Sequence, residues 1–129
     1  MPVSGFPEHA RTIQKVLDPV VATGEATLVS IQVDQRSADR GYITGQLHFA
    51  DTSELHFREF VDTTQSEPKL MYAYHVQDAK GALIFRYDNA AHRPRLPQPE
   101  HKHSTAEVRP ASAPTLDEVV NEILQSSQP

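Results

Sequence analysis

The residue types that could carry chemistry are concentrated in one stretch, Ala82–Ser104. An apolar run, Leu83–Phe85, leads into Arg86 and Asp88, and a proline-rich segment with more imidazoles and guanidiniums follows. Imidazoles exchange protons near neutral pH, and guanidiniums bind planar anions. The stretch therefore predicts proton transfer, anion binding or metal ligation, and its composition leaves these three open.

Cleavage of RNA without a metal ion needs a group that deprotonates a 2′-hydroxyl and a cation that faces the phosphate. The candidate catalytic residues are His75, Arg86, Asp88, His92, His101 and His103. The candidate substrate-binding residues are Arg58, Tyr74, Tyr87, Arg93, Arg95 and Lys102. Each of these side chains could equally be an ordinary surface charge or, for the tyrosines, part of the core.

The geometry of this candidate site depends on one hairpin. If the turn at Asp78–Gly81 has a two-residue loop, His75 and Arg86 project to the same side of the sheet. A one-residue bulge would instead place Tyr74 beside Arg86. The sequence leaves both registers open.

A metal site is an alternative use of the same histidines. His101 and His103 form an HxH pair that could bind zinc or nickel together with His92 or Asp88. The chain has no cysteine and no glutamate at a fixed helical spacing from them. We therefore expect no metal and no other cofactor.

Length and composition limit the choice of function. The chain has 129 residues, no cysteine and a net charge of -5, which suits one domain in a reducing cytoplasm. Residues 69–109 carry seven Lys or Arg against four Asp or Glu, and four of the seven histidines. A basic, histidine-rich surface could meet a phosphate backbone. Apolar runs are too short for a membrane helix, and glycine-rich phosphate loops, nucleophile elbows and HExxH motifs are absent.

The pattern of apolar residues predicts an α+β fold. Residues 26–35, 42–50, 54–62, 70–77 and 82–87 alternate as strands do and predict an antiparallel meander of about five strands. A helix over 8–17, ended by Asp18-Pro19, and a helix from Thr115 to about Leu124 would cover it. We expect one domain over 1–129, with a loose arm at 1–7, helix plus sheet at 8–90, a Pro/His-rich loop at 91–113 and the C-terminal helix at 114–126.

Several motifs together resemble the TumE family, the toxin components of prokaryotic toxin–antitoxin pairs. They are Phe57-Arg58-Glu59, YAYHVQ at 72–77, LIFRYDNA at 83–90, His101-Lys102-His103 and PTLDEV at 114–119. The resemblance covers roughly residues 47–124. Members of that family often have Pro-His-His after RYDNA, whereas this chain has Ala91-His92-Arg93, so a guanidinium replaces one imidazole.

The resemblance implies a cytoplasmic, growth-inhibiting toxin of a type II system that a helix-turn-helix antitoxin neutralises. The residues themselves suggest the hypothesis of ribonuclease activity, in which RNA would be a second partner. The chain could also form a homo-oligomer, and we expect no contact with a membrane. The alternatives are a non-catalytic protein-binding module and a metal-binding domain.

Overall fold

The computed structural model describes residues 5–89, 101–104, 108–110 and 113–126. Within these ranges the chain forms one seven-stranded antiparallel sheet, in which the strand order follows the chain order, and two helices. The helices are α1 (Phe6–Ala22) and α2 (Leu116–Ser126). The strands are β1 (Ala26–Gln35), β2 (Arg40–Phe49), β3 (Glu54–Asp62), β4 (Lys69–Gln77), β5 (Leu83–Asp88), β6 (His101–Ser104) and β7 (Val108–Pro110).

The predicted α+β class and its antiparallel meander are confirmed. All five predicted strands are present, with ends that differ by at most two residues. Strands β6 and β7 lie inside the segment 91–113 that we assigned to a loop, so that assignment is wrong for these residues. Both strands are short and lie among prolines, so they show no clear alternation of apolar and polar residues. Their extended structure comes from pairing with the neighbouring strand.

Helix α1 continues five residues beyond the predicted end. Asp18-Pro19 does not stop it, because Pro19 lies in the last turn and its carbonyl accepts the N–H of Thr23. Val20, one residue later, is buried in the core and holds this turn against the sheet. At the other end Phe6 packs against Gly41, where a Cβ atom would lie 2.2 Å from the ring.

The sheet has two different faces. The covered face carries the core, in which α1, α2 and the inward side chains of β2–β5 meet. The open face carries the alternate residues of the same strands and lies opposite the described helices. Helix α2 begins with the predicted capping box, since the Glu118 N–H donates to Thr115 Oγ1 at 3.2 Å and Thr115 N–H donates to Glu118 Oε1 at 3.1 Å.

A buried carboxylate links the elements of the covered face. Glu59 on β3 is only 1% exposed, and it accepts hydrogen bonds from the hydroxyl of Tyr74 and from His9 Nε2 at 2.6 Å. Lys69 Nζ donates to Tyr74 Oη at 2.6 Å and to the carbonyl oxygen of Pro114. Burial alone would raise the pKa of Glu59, but the hydrogen bonds from His9 and Tyr74 and the charge of Lys69 lower it overall.

We expect Glu59→Gln to lower the free energy of unfolding at pH 7 by about 2 kcal/mol, because a buried charged acceptor of two hydrogen bonds is lost. Urea denaturation followed by circular dichroism measures this. Glu25→Gln, which removes an exposed carboxylate, is the control and should change little. Equal stability of the two variants would contradict the role of Glu59.

The acid dependence of the same variant gives a second prediction. The pKa of Glu59 in the folded state lies below its ordinary value of 4.5, so on acidification the unfolded state takes up this proton first and stability falls. Gln has no proton to accept at this position. The stability difference between wild type and Glu59→Gln should therefore shrink below about pH 4.5, and a constant difference in denaturation curves across this range would refute it.

Candidate functional site

The open face contains a hollow of about 410 Å³ over the middle strands. Two small residues, Gly45 and Ala73, lie among the longer side chains that line it. The lining residues are Ser30, Thr44, Gly45, Gln46, His56, Phe57, Arg58, Ala73, His75 and Arg86. Two imidazoles and two guanidiniums therefore face one concave surface of the sheet.

His75 is held next to Arg86 by the strand register. The two residues are direct partners across β4 and β5, and Arg86 Nη1 lies 3.4 Å from His75 Nδ1. The hairpin turn that the sequence predicted has Gly81 at a φ of 85°, and a bulge lies between Val76 and Gln77. The loop has three residues rather than two, because the Asp78 N–H donates to the carbonyl of Ala82. This extra residue and the bulge together place His75 beside Arg86 and Tyr74 beside Tyr87, so the prediction that a bulge would bring Tyr74 to Arg86 is wrong.

The surroundings of His75 favour its neutral form. Burial lowers the pKa of His75, the hydrogen bond to Gln77 acts in the opposite direction, and the charges of Arg86 and His56 lower it further. Nε2 lies 3.1 Å from Gln77 Oε1, an acceptor, so Nε2 carries the proton. The lone pair is then on Nδ1, on the side of Arg86.

The two arginines have different partners. Arg86 Nε donates to Asp88 Oδ2 at 2.6 Å, and the Asp88 side chain is buried. Asp88 therefore positions Arg86 and is too enclosed to exchange protons with a substrate in the hollow. Arg58 is exposed and has no ion pair with any residue in the described ranges. Its guanidinium is the one that an incoming anion can reach with least rearrangement.

His56 is a site residue that the sequence analysis did not select. It is the direct partner of His75 across β3 and β4, and the two ring centres are 6.4 Å apart at an interplanar angle of 76°. His56 Nε2 lies 3.2 Å from Glu54 Oε1. The alternation of β3, which places His56 on the same side as Arg58, is the signal that could have identified it.

Three predicted substrate-binding residues lie on the covered face instead. Tyr74 is fully buried and donates to Glu59, so it cannot reach a ligand on the open face. The Tyr87 hydroxyl and Lys102 Nζ both donate to Glu122 on α2, each at 2.8 Å. These three side chains therefore do not share the hollow with His75 and Arg86, because the two-residue period of a strand directs them to the opposite face.

The remaining predicted residues are only partly located. Strand β6 pairs with β5 so that His103 is the register partner of Arg86 and His101 that of Asp88. The backbone of β6 therefore runs along the edge of the site. His92, Arg93 and Arg95 lie outside the described residues.

The described part of the chain lacks a metal-binding cluster and a membrane-spanning helix. It contains no group of three or more His, Cys, Asp or Glu side chains arranged to hold a metal ion. Neither helix is long and apolar enough to cross a membrane.

The sequence matches the model of a known protein family. The family model described as Toxin TumE matches residues 17–127, which is most of the chain and includes every residue that lines the hollow. No curated protein and no solved structure matches the sequence.

We expect Arg86→Gln to raise the pKa of His75 towards its ordinary value, because a neighbouring positive charge that opposes protonation is lost. Imidazole signals in two-dimensional NMR, recorded across the titration, measure the midpoint. Arg58→Gln removes the other guanidinium of the hollow and should leave the midpoint of His75 in place. An unchanged midpoint in Arg86→Gln, or an equal shift in Arg58→Gln, would show that Arg86 does not act on this ring.

Proposed function

Because this chain belongs to the TumE family of toxins, we propose that it inhibits growth by cleaving RNA without a metal ion, in the hollow of the open face. The observation that carries the proposal is the pair His56 and His75, which face each other beside Arg58 and Arg86. Imidazoles can move protons and guanidiniums can neutralise a phosphate, so this set supplies both requirements of the reaction.

The arginines bind the scissile phosphate in this scheme. Guanidiniums form paired hydrogen bonds with phosphate oxygens, and the charge-assisted bonds are stronger than neutral ones. Arg58 is exposed towards the hollow and Arg86 is fixed by Asp88 at its rim. Charge that develops on the phosphate oxygens in the transition state would lie between the two.

His75 is the general base. Its pKa is lowered, so the ring is neutral and can accept a proton near pH 7. The 2′-hydroxyl of the substrate gives its proton to His75, and the 2′-oxygen forms a bond to phosphorus. The 3.4 Å contact from Arg86 to Nδ1 is long for a hydrogen bond and can give way to the hydroxyl.

His56 is the general acid. The bond from phosphorus to the 5′-oxygen breaks, and that oxygen receives a proton from the protonated imidazole of His56. Glu54 gives the protonated ring an ion-pair partner at 3.2 Å. A base and an acid must each lie within about 3 Å of the oxygen they serve, and ring centres 6.4 Å apart allow both imidazoles to serve one phosphate that is bound above them. The products are a 2′,3′-cyclic phosphate and a 5′-hydroxyl.

We expect His75→Ala and His56→Ala each to slow RNA cleavage by about 100-fold or more, because each removes one proton-transfer group. Cleavage of a labelled RNA by the purified protein, with chemical identification of the new ends, measures both rate and product. Lys15→Ala, which removes an exposed side chain of α1 on the other side of the sheet, is the control and should cleave at the wild-type rate.

Two results would overturn this scheme. One is cleavage that survives in both site variants, and the other is products with a 5′-phosphate. If the chain arrests growth while cellular and purified RNA stay intact, the site is a binding surface and the protein acts as a non-catalytic module.

Membership of a toxin family implies an antitoxin partner. We propose that this partner is a helix-turn-helix protein encoded beside this chain in a type II system, and that both proteins act in the cytoplasm. The net charge of -5 would favour association with a basic DNA-binding protein. Co-expression with the neighbouring reading frame, followed by co-purification and growth measurement, tests this. A neighbour that neither binds nor restores growth would refute it.

A further inference from the structure

A pair of aromatic rings lies on the open face. Tyr42 on β2 and Phe60 on β3 are direct register partners, with ring centres 6.2 Å apart at an interplanar angle of 55°. Both side chains are half-buried, and neither belongs to the core cluster or to the hydrophobic residues packed against it. Met71 pairs with Phe60 from β4 and is 45% exposed. The three side chains form a row, which we call the aromatic row.

The aromatic row borders the hollow. Thr44, Arg58 and Ala73, which line the hollow, are register partners in the adjacent row of the same face. Each residue of the aromatic row is two positions from one of these three along its own strand, and two positions span about 7 Å. The backbone positions of Phe60 and Arg58 are therefore about one nucleotide length apart.

We propose that the aromatic row is a stacking platform for an unpaired nucleobase next to the phosphate held by Arg58, and that the substrate is accordingly single-stranded RNA. The inference rests on the proposed ribonuclease function and adds the substrate class. Every base has a π face, so stacking on Tyr42 and Phe60 tolerates different sequences. A base inside a duplex is already stacked between its neighbours and cannot reach a flat protein surface.

The charge of the surrounding residues supports a nucleic acid as the occupant. Arg58 stands beside Phe60 on the same strand, and Arg40 begins the strand that carries Tyr42. Although Arg40 pairs with Asp62 at 2.9 Å, its side chain is more than half exposed. Asp34, the partner of Tyr42 on β1, is paired with Arg36 at 2.9 Å. An aromatic surface with cationic side chains at its border is the combination that proteins use for single strands. A cross-strand aromatic pair can also stabilise a sheet, and the experiment must separate that role from binding.

The test is a double-mutant cycle between the protein and a short RNA with 2′-O-methyl groups, which cannot be cleaved because the attacking hydroxyl is blocked. Fluorescence anisotropy measures affinity for the intact oligonucleotide and for copies with one base removed at successive positions. We expect Phe60→Leu to weaken binding of the intact RNA about tenfold. With the copy that lacks the stacked base, Phe60→Leu and wild type should bind equally, because the partner of the ring is already gone.

Controls separate stacking from folding. Phe60→Trp keeps an aromatic face and should retain the wild-type affinity, and Val29→Ala trims an exposed apolar side chain on β1 and should have no effect. Thermal unfolding of each variant shows whether the sheet is intact. The duplex form of the same RNA should bind weakly and with no difference between wild type and Phe60→Leu.

The outcomes distinguish this inference from the function on which it rests. If Phe60→Leu weakens the binding only of oligonucleotides that retain the stacked base, while the protein cleaves no RNA, the stacking platform stands and the ribonuclease proposal fails. If RNA is cleaved as proposed while folded Phe60→Leu and Tyr42→Leu bind all oligonucleotides like wild type, the platform is refuted. Loss of antitoxin binding with unchanged RNA binding would likewise overturn it and identify the row as a protein-docking surface.

Discussion

The buried carboxylate of Glu59 connects α1, the middle strands and the start of α2 through hydrogen bonds. Glu59 receives hydrogen bonds from His9 on α1 and Tyr74 on β4, and Tyr74 is in turn bonded to Lys69, which reaches the carbonyl just before α2. A buried charge is costly unless all its partners are present, so both helices and the middle strands must be in place together. This requirement fixes the covered face and leaves the opposite side chains of the same strands available for ligands.

The residues that stabilise the fold and the residues of the proposed site lie on opposite faces of the sheet. Tyr74 and Glu59 stabilise the fold from one side of β3 and β4, while His56, Arg58 and His75 project from the other side of the same strands. Since the backbone of these strands is held by the core beneath it, the imidazoles of the hollow are carried on rigid elements. A site built on strands keeps its geometry better than one built on loops.

Alternation along each strand made the fold predictable, and it assigned His56, Arg58 and Phe60 to one side of β3. Which residues of neighbouring strands lie side by side was harder to predict, because this depends on the pairing register. The bulge at Val76 and Gln77 shifts that register and brings His75 to Arg86. Tyr74 and Tyr87 were chosen as RNA contacts by residue type, although their period places them towards the core. The strands β6 and β7 were missed since pairing with β5, a non-local contact, is what forms them.

The order of the strands in the sheet is the order in which they are synthesised. Each strand can therefore pair with its predecessor as soon as it leaves the ribosome, and such local contacts form fast. The core is different, because Leu116, Val119, Val120 and Ile123 come from α2, which follows the seven strands that the structure describes. A growing chain therefore keeps the covered face of its sheet open to solvent until α2 has emerged from the ribosome and packed against it.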